Sequence, residues 1–89
     1  MTAPYSIHFK RSVQKDLSKI PTRDLHRILA RIERLAEIPR PPDCTKLPGP
    51  NQVALYRVRQ GRYRIVYTIE DNQLQIWVIT VAHRKKVYR

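Results

Sequence analysis

Polar and apolar positions alternate most regularly along Tyr56-Arg57-Val58-Arg59 and Arg62-Tyr63-Arg64-Ile65-Val66-Tyr67, the two runs that flank Gln60-Gly61. Period-two alternation marks a strand with one buried face, and an X-Gly pair between two such runs marks a tight hairpin. With Gln60 and Gly61 as a two-residue loop, Arg59 lies opposite Arg62, Arg57 opposite Arg64, Val58 opposite Tyr63 and Tyr56 opposite Ile65. The apolar partners then share one face and the four arginines share the other. A third strand, Gln73 to Ala82, follows an Asp71-Asn72 turn. Pairing Ile69 with Leu74, Tyr67 with Ile76 and Ile65 with Val78 extends the same apolar face. The opposite face carries Val66, Trp77, Ile79 and Val81 beside Arg57, Arg59 and Arg64.

Upstream, Tyr5-Ser6-Ile7-His8-Phe9 alternates as a first strand. Ser12 is placed to cap a short helix whose Val13, Leu17 and Ile20 form one stripe, and Pro21 stops it. Thr22 is expected to cap a second, longer helix with Asp24 in its first turn. Leu25, Ile28, Leu29, Ile32, Leu35 and Ala36 follow helical spacing, while Arg23, Arg27, Arg31 and Arg34 occupy the outer face with Glu33 and Glu37. Pro39-Arg40-Pro41-Pro42 cannot continue a helix. Asp43 to Gln52 reads as an irregular link with a short strand near Thr45 to Leu47. The order predicts an α+β fold, a single domain over residues 1–89: an N-terminal strand, a two-helix hairpin and an antiparallel three-stranded meander, the helices packed on one sheet face.

Charge sharpens this picture. Eighteen Lys and Arg against seven Asp and Glu give a formal net charge of +11, which calls for a polyanionic or acidic partner. The basic residues are spread along the whole chain, so the charge belongs to a folded body and not to a basic arm. No apolar run approaches a membrane span, and Met1-Thr2-Ala3-Pro4 lacks the apolar segment of a secretory signal. Cys44 is the only cysteine, which excludes an internal disulfide and fits a reducing, cytoplasmic location. His8, His26 and His83 lack metal-ligand spacing, so neither a metal nor a cofactor is predicted.

Like charges directly across a ladder are destabilising, and no acid interleaves the four arginines of the first hairpin. A solvated edge of a basic protein is the bland explanation. The sharper one is a phosphate site, because the guanidinium fork matches phosphate oxygens bidentately. Trp77 on that face is either half-buried packing or a platform for a nucleobase.

In order and spacing, several segments resemble the RelE/ParE superfamily of bacterial and archaeal toxins, in particular its RelE-like, RNA-cleaving branch. They are Phe9 to Leu17, Lys46-Leu47 with Gly49, Tyr56-Arg57-Val58-Arg59, Gly61 to Tyr67, and Ile79 to Tyr88. The resemblance implies a RelE-like βααβββ fold and the toxin half of a type II toxin–antitoxin system. Such a toxin enters the ribosomal A site, cuts messenger RNA without a metal, and is silenced by a RelB-like antitoxin from the same operon. Its implied partners are ribosome-bound messenger RNA and the ribosomal RNA of both subunits. The free toxin is expected to be a monomer, and the silenced form a toxin–antitoxin heteromer. Carried over by position, Arg57 and Arg59 match the family's cationic pair, Arg64 the arginine of its Tyr-Arg-hydrophobic-Val-Tyr motif, Arg84 its late-strand arginine, and Tyr88 its C-terminal tyrosine.

The best-known member has lysines where this chain has Arg57 and Arg59, and many members have glycine at the place of Ala82. Arginine cannot act as a base, and the expected cleft holds no carboxylate. Tyr88 is therefore the candidate base, its phenolate favoured by surrounding cations. Arg64 is expected on the scissile phosphate with Arg57 and Arg59 gripping the backbone, Arg84 assists the leaving oxygen, and His83 is a secondary candidate acid. Arg62, Lys85, Lys86, Arg89 and Trp77 are expected to bind RNA. Tyr88 as a stacking residue and His83 as a strand residue are the simpler alternatives. Two rival functions remain: a ParE-like toxin that inhibits DNA gyrase, and a non-catalytic nucleic-acid-binding module.

Overall fold

A computed structural model describes residues 4–84. Five strands form one sheet in the order β1-β5-β4-β3-β2: β1 (Ser6–Phe9), β2 (Thr45–Leu47), β3 (Leu55–Gln60), β4 (Tyr63–Glu70) and β5 (Gln75–His83). β1 runs parallel to β5, and every other pairing is antiparallel. Two helices, α1 (Val13–Ser18) and α2 (Thr22–Leu35), lie between β1 and β2 in the chain. The short segment expected near Thr45 is thus a true edge strand, paired with β3.

Both helices pack on one face. Val13 of α1 and Ile28, Ile32 and Leu35 of α2 meet Tyr56, Val58, Ile65, Tyr67, Ile76, Val78 and Val81 of the sheet in a single core. Leu17, Ile20 and Leu29 extend it. Pro21, not Thr22, stands at the N-cap of α2. Its extended ψ of 145° turns its carbonyl into the first helical acceptor, for the Leu25 amide at 2.9 Å, and Thr22 becomes the first helical residue. The Ser12 hydroxyl makes no capping bond to α1.

The β3–β4 hairpin turns one residue later than expected. Gly61 and Arg62 form the loop, so Gln60 pairs with Tyr63, Arg59 with Arg64, Val58 with Ile65, and Arg57 with Val66. The cause is Gly61, at φ +61°: a tight hairpin needs that left-handed residue at the first central position, and Arg62 stays at negative φ. The slip keeps the paired residues on their predicted faces and changes their partners, but it moves Arg62 from the arginine face into the loop.

The β4–β5 register departs further. Asp71–Gln73 form a 3₁₀ turn closed by Leu74 in the left-handed region, so Ile69 pairs with Ile76 and Tyr67 with Val78. A bulge then leaves Ile79 without a partner, and Val66 pairs with Thr80, Ile65 with Val81 and Arg64 with Ala82. One extra residue reverses the phase of everything after it. Val81, expected among the arginines, is buried in the core, while Thr80 and Ala82 take the uncovered face.

Two clusters tie the loops down. Arg40 binds the Asp71 carboxylate at 2.9 and 3.3 Å, donates to the Tyr56 hydroxyl at 3.2 Å and sits 5.3 Å over the Tyr56 ring. Tyr5 donates to the same carboxylate at 2.7 Å. The link after α2, the β4–β5 turn and the start of β1 are thereby joined. Nearby, the buried Tyr67 donates its hydroxyl to the Pro39 carbonyl at 2.7 Å. Burial, with the neighbouring Cys44 thiol, pushes the Tyr67 phenol above the ordinary tyrosine range.

Candidate functional site

The sheet face away from the helices carries Leu55, Arg57 and Arg59 from β3, Arg64, Val66 and Thr68 from β4, and Trp77, Thr80 and Ala82 from β5. Arg59 and Arg64 are direct cross-strand partners, and Arg57 is diagonal to Arg64. Three arginines at neighbouring positions of one sheet face cost stability unless an anion is shared among them. Arg64 is half-buried, and its Nε is shielded from solvent with no acceptor among the described residues. A buried donor without an acceptor is unfavourable in the isolated protein, and among the described residues Arg31 Nε is in the same state.

Beside the arginines, Asp43, Thr45, Arg57 and Arg59 line a shallow pocket. The expectation of a cleft without a carboxylate is corrected here: the link after α2 brings Asp43 to its edge, where Arg31 of α2 pairs with it. That bond holds the Asp43 carboxyl below the usual carboxylate range, so at neutral pH it is an acceptor and a weak base. Arg31 correspondingly leaves the exposed outer face of α2 assigned to it by helical spacing; its side chain is only 16% exposed. Further along the sheet Leu47, Leu55, Val66 and Ile79 make an apolar groove, with Arg57 and Thr80 at its border.

A sequence-family model for the ParE toxin of type II toxin–antitoxin (parDE) systems matches residues 7–88. The chain belongs to this toxin family. The toxin is 32% identical to toxin RelG of Mycobacterium tuberculosis, a match that covers 97% of this chain and 98% of RelG. Its structure resembles the archaeal RelE–RelB complex from Pyrococcus horikoshii, with a TM-score of 0.81 at 28% identity over 94% of this chain and 99% of that one. It also resembles the RelBE2 toxin–antitoxin complex of M. tuberculosis, with a TM-score of 0.79 at 27% identity over 91% of this chain and 99% of that one. Membership of the RelE/ParE superfamily and the α+β fold both agree with the sequence.

Of the toxin residues singled out in the sequence, Arg57, Arg59 and Arg64 come together. Arg62 lies in the hairpin loop, exposed and off the ladder; its carbonyl accepts the Arg84 amide at 2.7 Å. Arg84, just past β5, continues the phase of Ala82, because the bulge at Ile79 has brought that phase round to the arginine side. His83 takes the opposite phase. It pairs with Tyr63 on the helix-covered side, meets that ring edge-on at 5.2 Å, and lines a pocket with Asp16, Lys19 and Ile20. The structure does not bring His83 to the three arginines. Trp77 shares their face but lies toward its other end, stacked on His8. Tyr88, Lys85, Lys86 and Arg89 lie outside the described residues.

Asp16 is the residue that sequence reading missed. β1 ends at Phe9, leaving the far half of β5 with an open edge, and the Asp16 carboxylate accepts the Val81 amide there at 3.2 Å and the Thr80 hydroxyl at 3.4 Å. It thereby fixes the strand segment that leads into Arg84. A carboxylate at the fourth position of a short helix carries no sequence mark of that task.

Proposed function

We propose that this toxin is a ribosome-dependent endoribonuclease that cleaves messenger RNA in the A site. The carrying observation is the set of Arg57, Arg59 and Arg64 on one helix-free sheet face, with the Arg64 Nε shielded from solvent and without an acceptor among the described residues. The ribose 2′-OH attacks its own 3′ phosphate, the bond to the 5′ oxygen breaks, and a cyclic phosphate remains on the upstream fragment. Charge accumulates on the phosphoryl oxygens in the transition state, where Arg64 meets it, while Arg57 and Arg59 hold the flanking backbone. Tyr88, as phenolate, takes the 2′-OH proton, and the departing 5′ oxygen, its charge steadied by Arg84, takes a proton from water to leave as a hydroxyl. These side chains accomplish the chemistry without a metal ion. Electrostatics and positioning then carry most of the rate, so the ribosome, which orders the message, is part of the catalyst.

The control partner in this reading is a RelB-like antitoxin, as in the complexes formed by the structural relatives. An acidic, partly disordered segment suits a surface of this charge. A second reading is favoured by the matching family model, which is that of a ParE toxin: inhibition of DNA gyrase. Mapping message ends on a programmed ribosome with purified toxin separates the two. Cleavage within the A-site codon supports the nuclease, whereas intact message together with blocked gyrase supercoiling supports the other.

A further inference from the structure

Trp77 is the single tryptophan of the chain, and it stands 37% exposed on the arginine side of the sheet. Its ring stacks on His8 of the neighbouring β1 strand, with centroids 4.8 Å apart and planes 19° from parallel. Each ring is also pinned at its edge. The indole N–H donates to Gln75 Oε1 at 3.0 Å, and His8 Nε2 shares a 2.9 Å hydrogen bond with the Ser6 hydroxyl. A large aromatic held this way has already lost its rotamer freedom, so a ligand stacking on it incurs little further ordering cost. The core requires none of this, since the core lies on the other face.

Along β4, Thr68 opposite Trp77 and Arg64 are four residues apart. At about 3.3 Å per residue the stack lies roughly 13 Å from the phosphate site, a span that an extended single strand crosses in a few nucleotides. The charge gradient gives the direction. Arg57, Arg59 and Arg64 crowd one end of the face, and Glu70, paired with Gln75, occupies the Trp77 end. Phosphates are therefore drawn to the arginines, and the Trp77 end offers a π surface with no cation paired across from it on β4.

We propose that the His8–Trp77 stack is a base-binding subsite: an unpaired nucleobase of the RNA strand whose phosphate sits at Arg57, Arg59 and Arg64 stacks on Trp77. This rests on the nuclease reading but is separable from it. Stacking accepts any base, so the subsite adds affinity and fixes the path of the strand without reading its sequence.

Because Trp77 is the only tryptophan, its fluorescence reports on the subsite directly. The probe is a short 2′-O-methyl oligoribonucleotide, which binds but cannot be cleaved by 2′-OH attack. Its binding should quench Trp77 emission, and an abasic residue at one position of the probe should restore the emission while the charge-driven binding remains. Trp77→Ala should weaken binding roughly five- to hundred-fold and leave the salt dependence unchanged, while Trp77→Phe keeps most of the affinity. Arg64→Ala should lose cleavage but keep the quenching. Binding without quenching, or quenching insensitive to every abasic position, overturns the proposal. So does shielding of Trp77 by the co-encoded antitoxin but not by RNA, which makes the stack a protein contact. Quenching in a toxin that fails to cut ribosome-bound message leaves the subsite standing and removes the nuclease reading alone.

Discussion

Among single residues, Arg64 separates binding from chemistry most sharply. Its backbone belongs to the central β4 strand and its side chain to the uncovered face, so truncation removes charge without opening the core. Arg64→Ala should keep the melting temperature within a few degrees and lower the single-turnover cleavage rate by roughly a hundredfold or more. Ribosome affinity should change far less; an equal loss in affinity and rate would place Arg64 in binding only. Tyr67, three residues on, tests the opposite kind of role. Its buried hydroxyl satisfies the Pro39 carbonyl, so Tyr67→Phe should cost about 1–2 kcal/mol in urea unfolding and leave the cleavage mechanism unaltered. These two residues sit in one sequence motif, and their alternation alone assigns one to the cleft and one to the core. What the sequence could not display at this scale is long-range pairing: Arg31 with Asp43, Arg40 with Asp71, and Asp16 with the β5 edge are contacts between segments that no local pattern links.

At the scale of elements, the first hairpin was legible except for its turn, and the last strand only in part. Alternation set the faces of β3 and β4, and the extra residue in β5 was hidden because Ile76 to Ala82 is apolar on both phases apart from Thr80. A run without alternation gives no signal for a bulge. The consequence is measurable at Val81. The regular register leaves it on the arginine face and tolerant of change, whereas the bulged strand buries it to 3% exposure. Val81→Ala should therefore destabilise by about 1–3 kcal/mol, read from the denaturation midpoint; a neutral effect would contradict the bulge. The bulge matters for the proposed site because it puts Ala82, and with it the phase of Arg84, on the side of Arg64, and His83 on the side of Tyr63. The β3–β4 turn offers a second check. A Cβ at Gly61 meets no atom within 4 Å, so the cost of Gly61→Ala comes from its positive φ alone, about 1 kcal/mol. Gly61→Asn should recover part of it.

For the whole molecule, charge governs both stability and encounter. The Asp71 carboxyl is held below its usual range by its bond to Arg40 and then by that from Tyr5, and the Asp43 carboxyl is held below it by Arg31. Carboxyls depressed in the folded state contribute stability that is fully present above their unfolded pKa of about 4 and is lost as pH falls through the folded values. The melting temperature should thus decline below about pH 4, and Asp71→Asn should flatten that decline; an unchanged profile would deny the Arg40–Asp71 clamp any part in acid stability. The net charge of +11 was plain from composition, and so was the need for an anionic partner. The central claim is that the arginine face cuts messenger RNA on the ribosome. Purified toxin on programmed ribosomes, with cleavage positions mapped at nucleotide resolution, tests it most directly. Breaks confined to the A-site codon, ending in a cyclic phosphate and absent with Arg64→Ala at saturating toxin, are the expected result. Intact message at full ribosome occupancy, or equal cleavage by Arg64→Ala, would contradict it.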